Sequence, residues 1–186
     1  MRGVSDDLSV LVLEDEAELL DAYVEGLGTE YDVCPAATGD AAIERIEELG
    51  DDLDIALLDR RLPKSSGDEV LQYIQSASID CRTAMVPAVD PTFDIIDMGF
   101  DDYVIKPVTP SDLQSVIERL AMLDEYDETY QRLSEKRVKQ SVLAAEKSRS
   151  ELRNSDEYQQ LCEEIDELQA ELESIEAQIQ DTPLPH

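Results

Sequence analysis

Tryptophan is absent, phenylalanine occurs twice, and the single histidine is the last residue, His186. This inventory excludes histidine-based acid–base catalysis and most zinc sites, which draw on His as proton carrier or ligand. Cysteine is scarce and odd in number: Cys34, Cys81 and Cys162 are scattered without metal-ligand spacing, so a reduced, cytoplasmic chain is expected. A basic stretch leading into a signal-length apolar segment is missing, and nowhere do about 18 apolar residues run together. A soluble chain that is not exported is the expectation. Positive charge is the scarcest resource, with 15 basic residues against 45 acidic ones and a net charge of −30. Such a surface repels nucleic acid and anionic lipid unless salt screens it. One reading is a protein that works in near-molar salt, where the Debye length is about 3 Å and clustered carboxylates cease to repel across the surface. High net charge also marks disorder, but apolar runs recur here at regular intervals, and they argue for a core.

Those runs are LSVLVL (8–13), YDVCP (31–35), LDIALL (53–58), TAMV (83–86) and YVI (103–105). Between them lie segments of helical period: EAELLDAYVEGL, GDAAIERIEEL, GDEVLQYIQSA, PTFDIIDMG and PSDLQSVIERL. Five strands alternating with five helices predict βαβ units, hence an α/β fold with a doubly wound, flavodoxin-like parallel sheet covered on both faces. The first and third runs are continuously apolar, as strands buried on both faces are.

In such sheets ligands bind outside the carboxyl ends of the strands. The residues just after each strand are Glu14 and Asp15, then Asp59, then Pro87 and Ala88, then Lys106 and Pro107. Carboxylates converging at one sheet edge repel by roughly 4 kcal/mol at about 4 Å and an effective dielectric near 20. A small, hard divalent ion that takes one or two carboxylates and keeps several waters relieves this, and Mg²⁺ is the usual choice in phosphate chemistry. Lys106 on the opposite side suits a phosphoryl oxygen as a point charge.

VLVLEDE, IALLDRRLPKSSGDEVL and GFDDYVIKPV together resemble the receiver domain of two-component response regulators over about residues 6 to 122. The resemblance rests on the ordered set: the acidic pair, an Asp followed by a Pro four residues on and a Gly eight on, and the late Lys-Pro. It implies a phospho-acceptor at Asp59 that takes a phosphoryl group from a histidine kinase. It implies Mg²⁺ held by Asp15, Asp59 and the backbone carbonyl of Arg61, with Glu14 reaching it through water, and Lys106 paired with the phosphoryl group. Such a domain promotes its own phosphorylation and dephosphorylation without being a conventional enzyme. An aspartate-nucleophile phosphatase is the rival, but those enzymes typically carry a second Asp two residues after the nucleophile, where this chain has Arg61.

AMVPAVDPTFD (84–94) departs from the family at one position. Receivers that switch keep a Ser or Thr just past the fourth strand, which binds the phosphoryl group, and an aromatic on the fifth strand follows it. Tyr103 holds the aromatic position, while Pro87 replaces the hydroxyl and Ala88 still offers its backbone N–H to a phosphate. Thr83 cannot substitute, because four residues of strand place it roughly 13 Å away. Pro87 therefore motivates a second reading, a receiver-shaped interaction or dimerisation scaffold that works without phosphorylation.

Beyond about residue 120 strands stop and two long helical stretches follow, broken near RNSDE, where Asn154 or Ser155 can cap a new helix. Tyr158, Leu161, Ile165, Leu168, Leu172, Ile175 and Ile179 alternate steps of three and four, a heptad seam. Residues 131–153 carry seven basic and three acidic side chains, whereas 154–181 carry ten acidic and no basic ones. An antiparallel hairpin that sets these charges against each other is favoured over a nucleic-acid-binding helix, since interleaved aromatics and a helix-turn-helix pattern are lacking. EYQQLCEEIDELQAELESI and LAAEKSRSEL resemble the HalX domain, a helical region found after receivers in salt-loving archaea. The expected organisation is a receiver at 1–122, a HalX-like two-helix hairpin or coiled coil at 123–181, and a tail at 182–186. A homodimer through the receiver's fourth helix, fifth strand and fifth helix, or through the Leu161–Ile179 seam, remains open, and DNA regulation is the less favoured output.

Overall fold

The computed structural model describes residues 8–63 and 66–182. The tail beyond Thr182, including His186, and the chain before Leu8 lie outside the described residues. Two compact units divide between Leu120 and Ala121.

The first unit is built on strands β1 (Ser9–Leu13), β2 (Asp32–Ala36), β3 (Ile55–Leu58), β4 (Arg82–Met85) and β5 (Asp102–Tyr103). All pair in parallel in the order β2-β1-β3-β4-β5. Between them run α1 (Ala17–Leu27), α2 (Gly39–Leu49) and α3 (Gly67–Ala77), and α4 starts at Pro110. Each of the central strands β1 and β3 is buried along its whole length, which is why their sequences do not alternate. Leu11, Leu13, Ala56, Leu58 and Met85 pack with Ala42, Ile46, Val70, Leu71 and Ile74 of α2 and α3. The intervening residues Val10, Val12, Ile55 and Leu57 point to the other face by the strand period of two, and they are equally buried, as are Tyr23, Leu27, Leu113 and Ile117.

Capping sets the helix starts. Thr38 accepts from Ala41 N at the head of α2, and Ser66 with Glu69 forms a reciprocal capping box at the head of α3. The expected helix at PTFDIIDMG does not form; a 3₁₀ turn, Phe93–Asp97, stands in its place. Its two isoleucines are β-branched, and the Thr92 hydroxyl bonds the Asp94 side chain instead of capping the turn. The fifth strand is also shorter than expected, with only two residues in the ladder.

The helix expected to end near residue 120 instead runs unbroken as α4, Pro110–Glu146. The first break after it lies at Lys147–Ser148, earlier than RNSDE, and a five-residue helix α5, Arg149–Arg153, fills the interval. Ser155 then caps α6, Asp156–Asp181, by accepting from Tyr158 N. Within the second unit Ile165, Leu168 and Leu172 of α6 pack with Leu133 and Tyr126, and Lys136 pairs with Glu164 at 2.6 Å. The middle of the seam read from the sequence, Leu161 to Leu172, thus packs inside one chain, with opposite charges beside it.

Candidate functional site

Four strand ends of the first unit build the site. Parallel pairing carries β1 and β3 to a common edge, where Glu14 N donates to Ala36 O (3.0 Å) and Asp59 N donates to Leu13 O (3.0 Å). These ladder extensions bring Glu14 and Asp59, both buried, beside the exposed Asp15. Carboxylate oxygens of Glu14, Asp15 and Asp59 lie within 4.8 Å of one another. On the far side, Val86 N donates to Leu58 O (2.8 Å) and Lys106 N to the carbonyl of Pro87 (2.8 Å), which fixes the backbone that carries Lys106.

The Lys106 ammonium enters the carboxylate group, donating to Glu14 Oε2 at 2.5 Å and also to Asp59 Oδ2. Burial pulls its pKa down, but the hydrogen bonds and charges of Asp59 and Glu14 outweigh that and raise it. Lys106 is therefore a fixed positive charge at neutral pH. The Asp59 carboxylate also accepts from Arg61 N (3.1 Å), so one of its oxygens is oriented by the chain while the other faces Lys106.

The loop after β3 is held close to this carboxylate. Gly67 N donates to Arg60 O (3.1 Å), and a Cβ at Gly67 would collide with the carbonyl oxygen of Asp59. The glycine eight residues after Asp59 thus has a mechanical reason: only its bare Cα lets α3 begin against the acceptor residue.

Pro87 is buried at the end of β4 and Ala88 is exposed beyond it. Tyr103 lies on β5 opposite Met85, its ring 5.4 Å from that of Phe100. The Tyr103 hydroxyl is buried and makes no hydrogen bond of normal geometry among the described residues, although the Arg60 guanidinium is near enough to interact with it. Thr83 is occupied elsewhere, with its amide (2.7 Å) and hydroxyl (3.2 Å) both bound to Asp101.

Two functional neighbours escape a sequence reading. Arg60 binds both oxygens of Asp68 on α3 and also Asp94 in the 3₁₀ turn, so it ties the turn to the loop after Asp59. Its side chain lines a cleft of about 370 Å³ together with Arg61, Ser66 and Thr92. Its partners are eight and 34 residues away, and no local pattern announces such a bond. Tyr23 sits in the α1 core face and donates to Val108 O at 3.5 Å, bracing the loop after Lys106. In the sequence it reads only as an apolar position of a helix.

All the oxygens are hard donors, two of the three carboxylates are buried, and the third opens to solvent, a donor set that fits Mg²⁺ with waters completing its shell.

A five-stranded parallel sheet of order 2-1-3-4-5, with three carboxylates and a lysine at its carboxyl edge, is the architecture of a signal receiver. Family models agree: the response regulator receiver domain matches residues 10–118 and the HalX domain residues 122–183. The chain belongs to the response regulator receiver family, with a HalX domain after the receiver. A Haloferax volcanii protein assigned as a transcriptional regulator is 41% identical over 112 residues, 60% of this chain and 19% of that protein. The transcriptional regulatory protein CutR of Streptomyces coelicolor is 37% identical over 117 residues, 61% of this chain and 53% of that one. This chain therefore spans about a fifth to about half the length of these relatives. Among solved structures, the CheY-like receiver domain protein of Methanospirillum hungatei superposes with a TM-score of 0.57 at 26% identity, covering 64% of this chain and 98% of that one.

Proposed function

We propose that Asp59 accepts a phosphoryl group from the phosphohistidine of a kinase and that the helical unit passes the state of the receiver to a partner. The observation that carries this reading is the Lys106 ammonium bound to both Glu14 and Asp59 at the sheet edge.

In the reaction an Asp59 oxygen forms a bond to phosphorus as the phosphorus–nitrogen bond of the phosphohistidine breaks, and the imidazole keeps the electron pair and takes a proton from solvent. The Arg61 amide holds the other Asp59 oxygen. Lys106 exchanges its Asp59 contact for an equatorial phosphoryl oxygen, and the Ala88 amide serves as a second donor. Asp15, Asp59 and the Arg61 carbonyl would hold Mg²⁺, with Glu14 bonded to its water; the ion supplies neutralisation of the phosphoryl charge. Positioning and electrostatics are what phosphoryl transfer chiefly requires. Pro87 leaves this chemistry intact, and it removes the ordinary hydroxyl relay toward Tyr103.

We place the receiver at residues 1–122 and the helical output unit at 123–181. A cytoplasmic setting suits the kinase input; no helix among the described residues is long and apolar enough to cross a membrane. The test is incubation with a small phosphodonor and Mg²⁺ in high salt, read on a phosphate-affinity gel beside Asp59→Asn. A shift in wild type that the variant lacks is expected. No Asp59-dependent shift would sink the reading.

A further inference from the structure

The turn Phe93–Asp97 has little to hold it in place. None of its residues is buried, and its large apolar side chains Phe93 and Ile96 are 91% and 74% exposed. The bonds from Ile95 N to Thr92 O (3.3 Å) and from Met98 N to Ile95 O (3.1 Å) stay within the segment, as does the Thr92–Asp94 side-chain bond. Among the described residues, one side-chain bond ties residues 93–97 to another element: Arg60 to Asp94.

The other end of that bond lies at the acceptor. Arg60 directly follows Asp59, its side chain is 13% exposed, and Asp68 at the head of α3 holds it from a second side at 3.1 Å. The Asp94 side chain is 51% exposed and the more open of the two carboxylates, so water and salt replace it more readily. Arg60 thus has a firm arm on α3 and a weaker arm on the turn.

Within reach of the same guanidinium lies the buried Tyr103 hydroxyl, which makes no hydrogen bond of normal geometry. A buried oxygen without a donor is an unmet acceptor, and an N–H freed from Asp94 satisfies it. The guanidinium therefore faces two alternative partners, one on the turn and one on β5. There is room to exchange them: the cleft beside Arg60 and Asp94 is lined also by Val89 and Asp90, and residues 88–92 are exposed or half-buried, so this segment can shift without entering packed core.

We propose that Arg60 is the relay of this receiver: before phosphorylation it latches the turn through Asp94, and after it the guanidinium releases Asp94 and turns to the Tyr103 hydroxyl. The relay rests on Asp59 being the phospho-acceptor proposed above, and it fills the role left open by Pro87. A phosphoryl group on Asp59 that takes the Ala88 amide draws together the two segments the latch spans, since Arg60 follows Asp59 and Asp94 lies six residues beyond Ala88. Asp68 keeps Arg60 at α3, and the exposed Asp94 arm gives way.

NMR of the full chain with and without acetyl phosphate and Mg²⁺ tests this, reading nitrogen-15 relaxation of the 93–97 amides and the Tyr103 ring, with the phosphate-affinity gel run on the same samples. In wild type, phosphorylation is expected to loosen these amides and shift the Tyr103 ring signals. Asp94→Ala, at an exposed site, is expected to take up phosphate as wild type does. Its turn amides should be loose and its Tyr103 ring shifted before any phosphodonor is added, with little further change afterwards. Asp94→Glu keeps the carboxylate and should restore the wild-type pattern, which a merely structural defect at this position would not. A turn that stays ordered in Asp94→Ala overturns the latch. A wild type that the gel shows to be phosphorylated, with turn and Tyr103 unmoved, overturns the relay and leaves the acceptor reading standing. Absence of phosphate on Asp59 overturns the acceptor reading and the relay with it, so the gel tells the two failures apart.

Discussion

Lys106 and Asp59 are 47 residues apart in sequence, and their side chains meet inside a ring of carboxylates, with Glu14 as the ammonium's second partner. This lysine is the counter-charge that lets two buried carboxylates share one sheet edge. Lys106→Met is expected to destabilise the metal-free protein by roughly 3 kcal/mol, because buried charges lose their partner. Added Mg²⁺ should recover part of that loss by binding the folded state alone. Chemical denaturation with and without Mg²⁺ measures both; equal stability of variant and wild type would show that the ammonium is dispensable.

Gly67 approaches Asp59 through backbone alone. Gly67→Ala is expected to cost about 1–3 kcal/mol by overpacking and to reduce phosphoryl uptake, since α3 must move away from the acceptor carbonyl. Thermal unfolding and the phosphate-affinity gel report the two effects. A variant with normal stability and uptake would mean the loop yields without consequence.

Tyr103 and Pro87 together bear on signal relay. Tyr103→Phe deletes a buried hydroxyl that makes no hydrogen bond of normal geometry and only a weak approach to Arg60, so stability should change by no more than about 1 kcal/mol. Restoring a hydroxyl with Pro87→Thr should make the environment of Tyr103 change more on phosphorylation than it does in wild type. NMR of the Tyr103 ring in both proteins decides this, and identical responses would remove the hydroxyl from the account.

At alkaline pH several groups act in one direction. Burial pushes the Cys81 thiol from an ordinary value near 9.0 up to about 12, and it raises the Tyr31 phenol to about 12. Lys106 is raised as well, burial being outweighed by Asp59 and Glu14. In each case the unfolded chain releases its proton at lower pH than the folded one, so the stabilisation is complete below the unfolded pKa and lost as pH rises through the folded value. Stability should begin to fall above pH 9.0, where the unfolded thiols of Cys81 and of Cys34, which burial also raises, are the first of these groups to lose their protons, and Cys81→Ala should flatten part of the earliest fall. A denaturation series from pH 8 to about 11 checks the sign.

Much of the fold is written locally. The unalternating apolar runs of β1 and β3, Ser66 with Glu69 at the head of α3, and Ser155 at the head of α6 specify strands and helix starts through burial period and capping, which act over a few residues. The grouping of Glu14, Asp15, Asp59 and Lys106 was also legible, because a parallel sheet delivers every strand's carboxyl end to the same edge. At PTFDIIDMG the pattern misled: the period is helical, but β-branching and the Thr92–Asp94 bond leave only a 3₁₀ turn. The unbroken course of α4 past residue 120 was hidden too, since nothing in the propensities of that stretch marks where a helix must continue rather than restart.

By itself, then, the sequence determined the alternation of elements, the acidic edge and the charged hairpin, all of which follow from residue type and short-range spacing. The tertiary structure alone decided that Arg60 holds Asp68 and Asp94, that Thr83 is spent on Asp101, and that Val138 and Val142 face away from α6. Those outcomes depend on which distant segments share a neighbourhood, and the energy that selects a partner across 18 or 34 residues has no signature in either segment read alone.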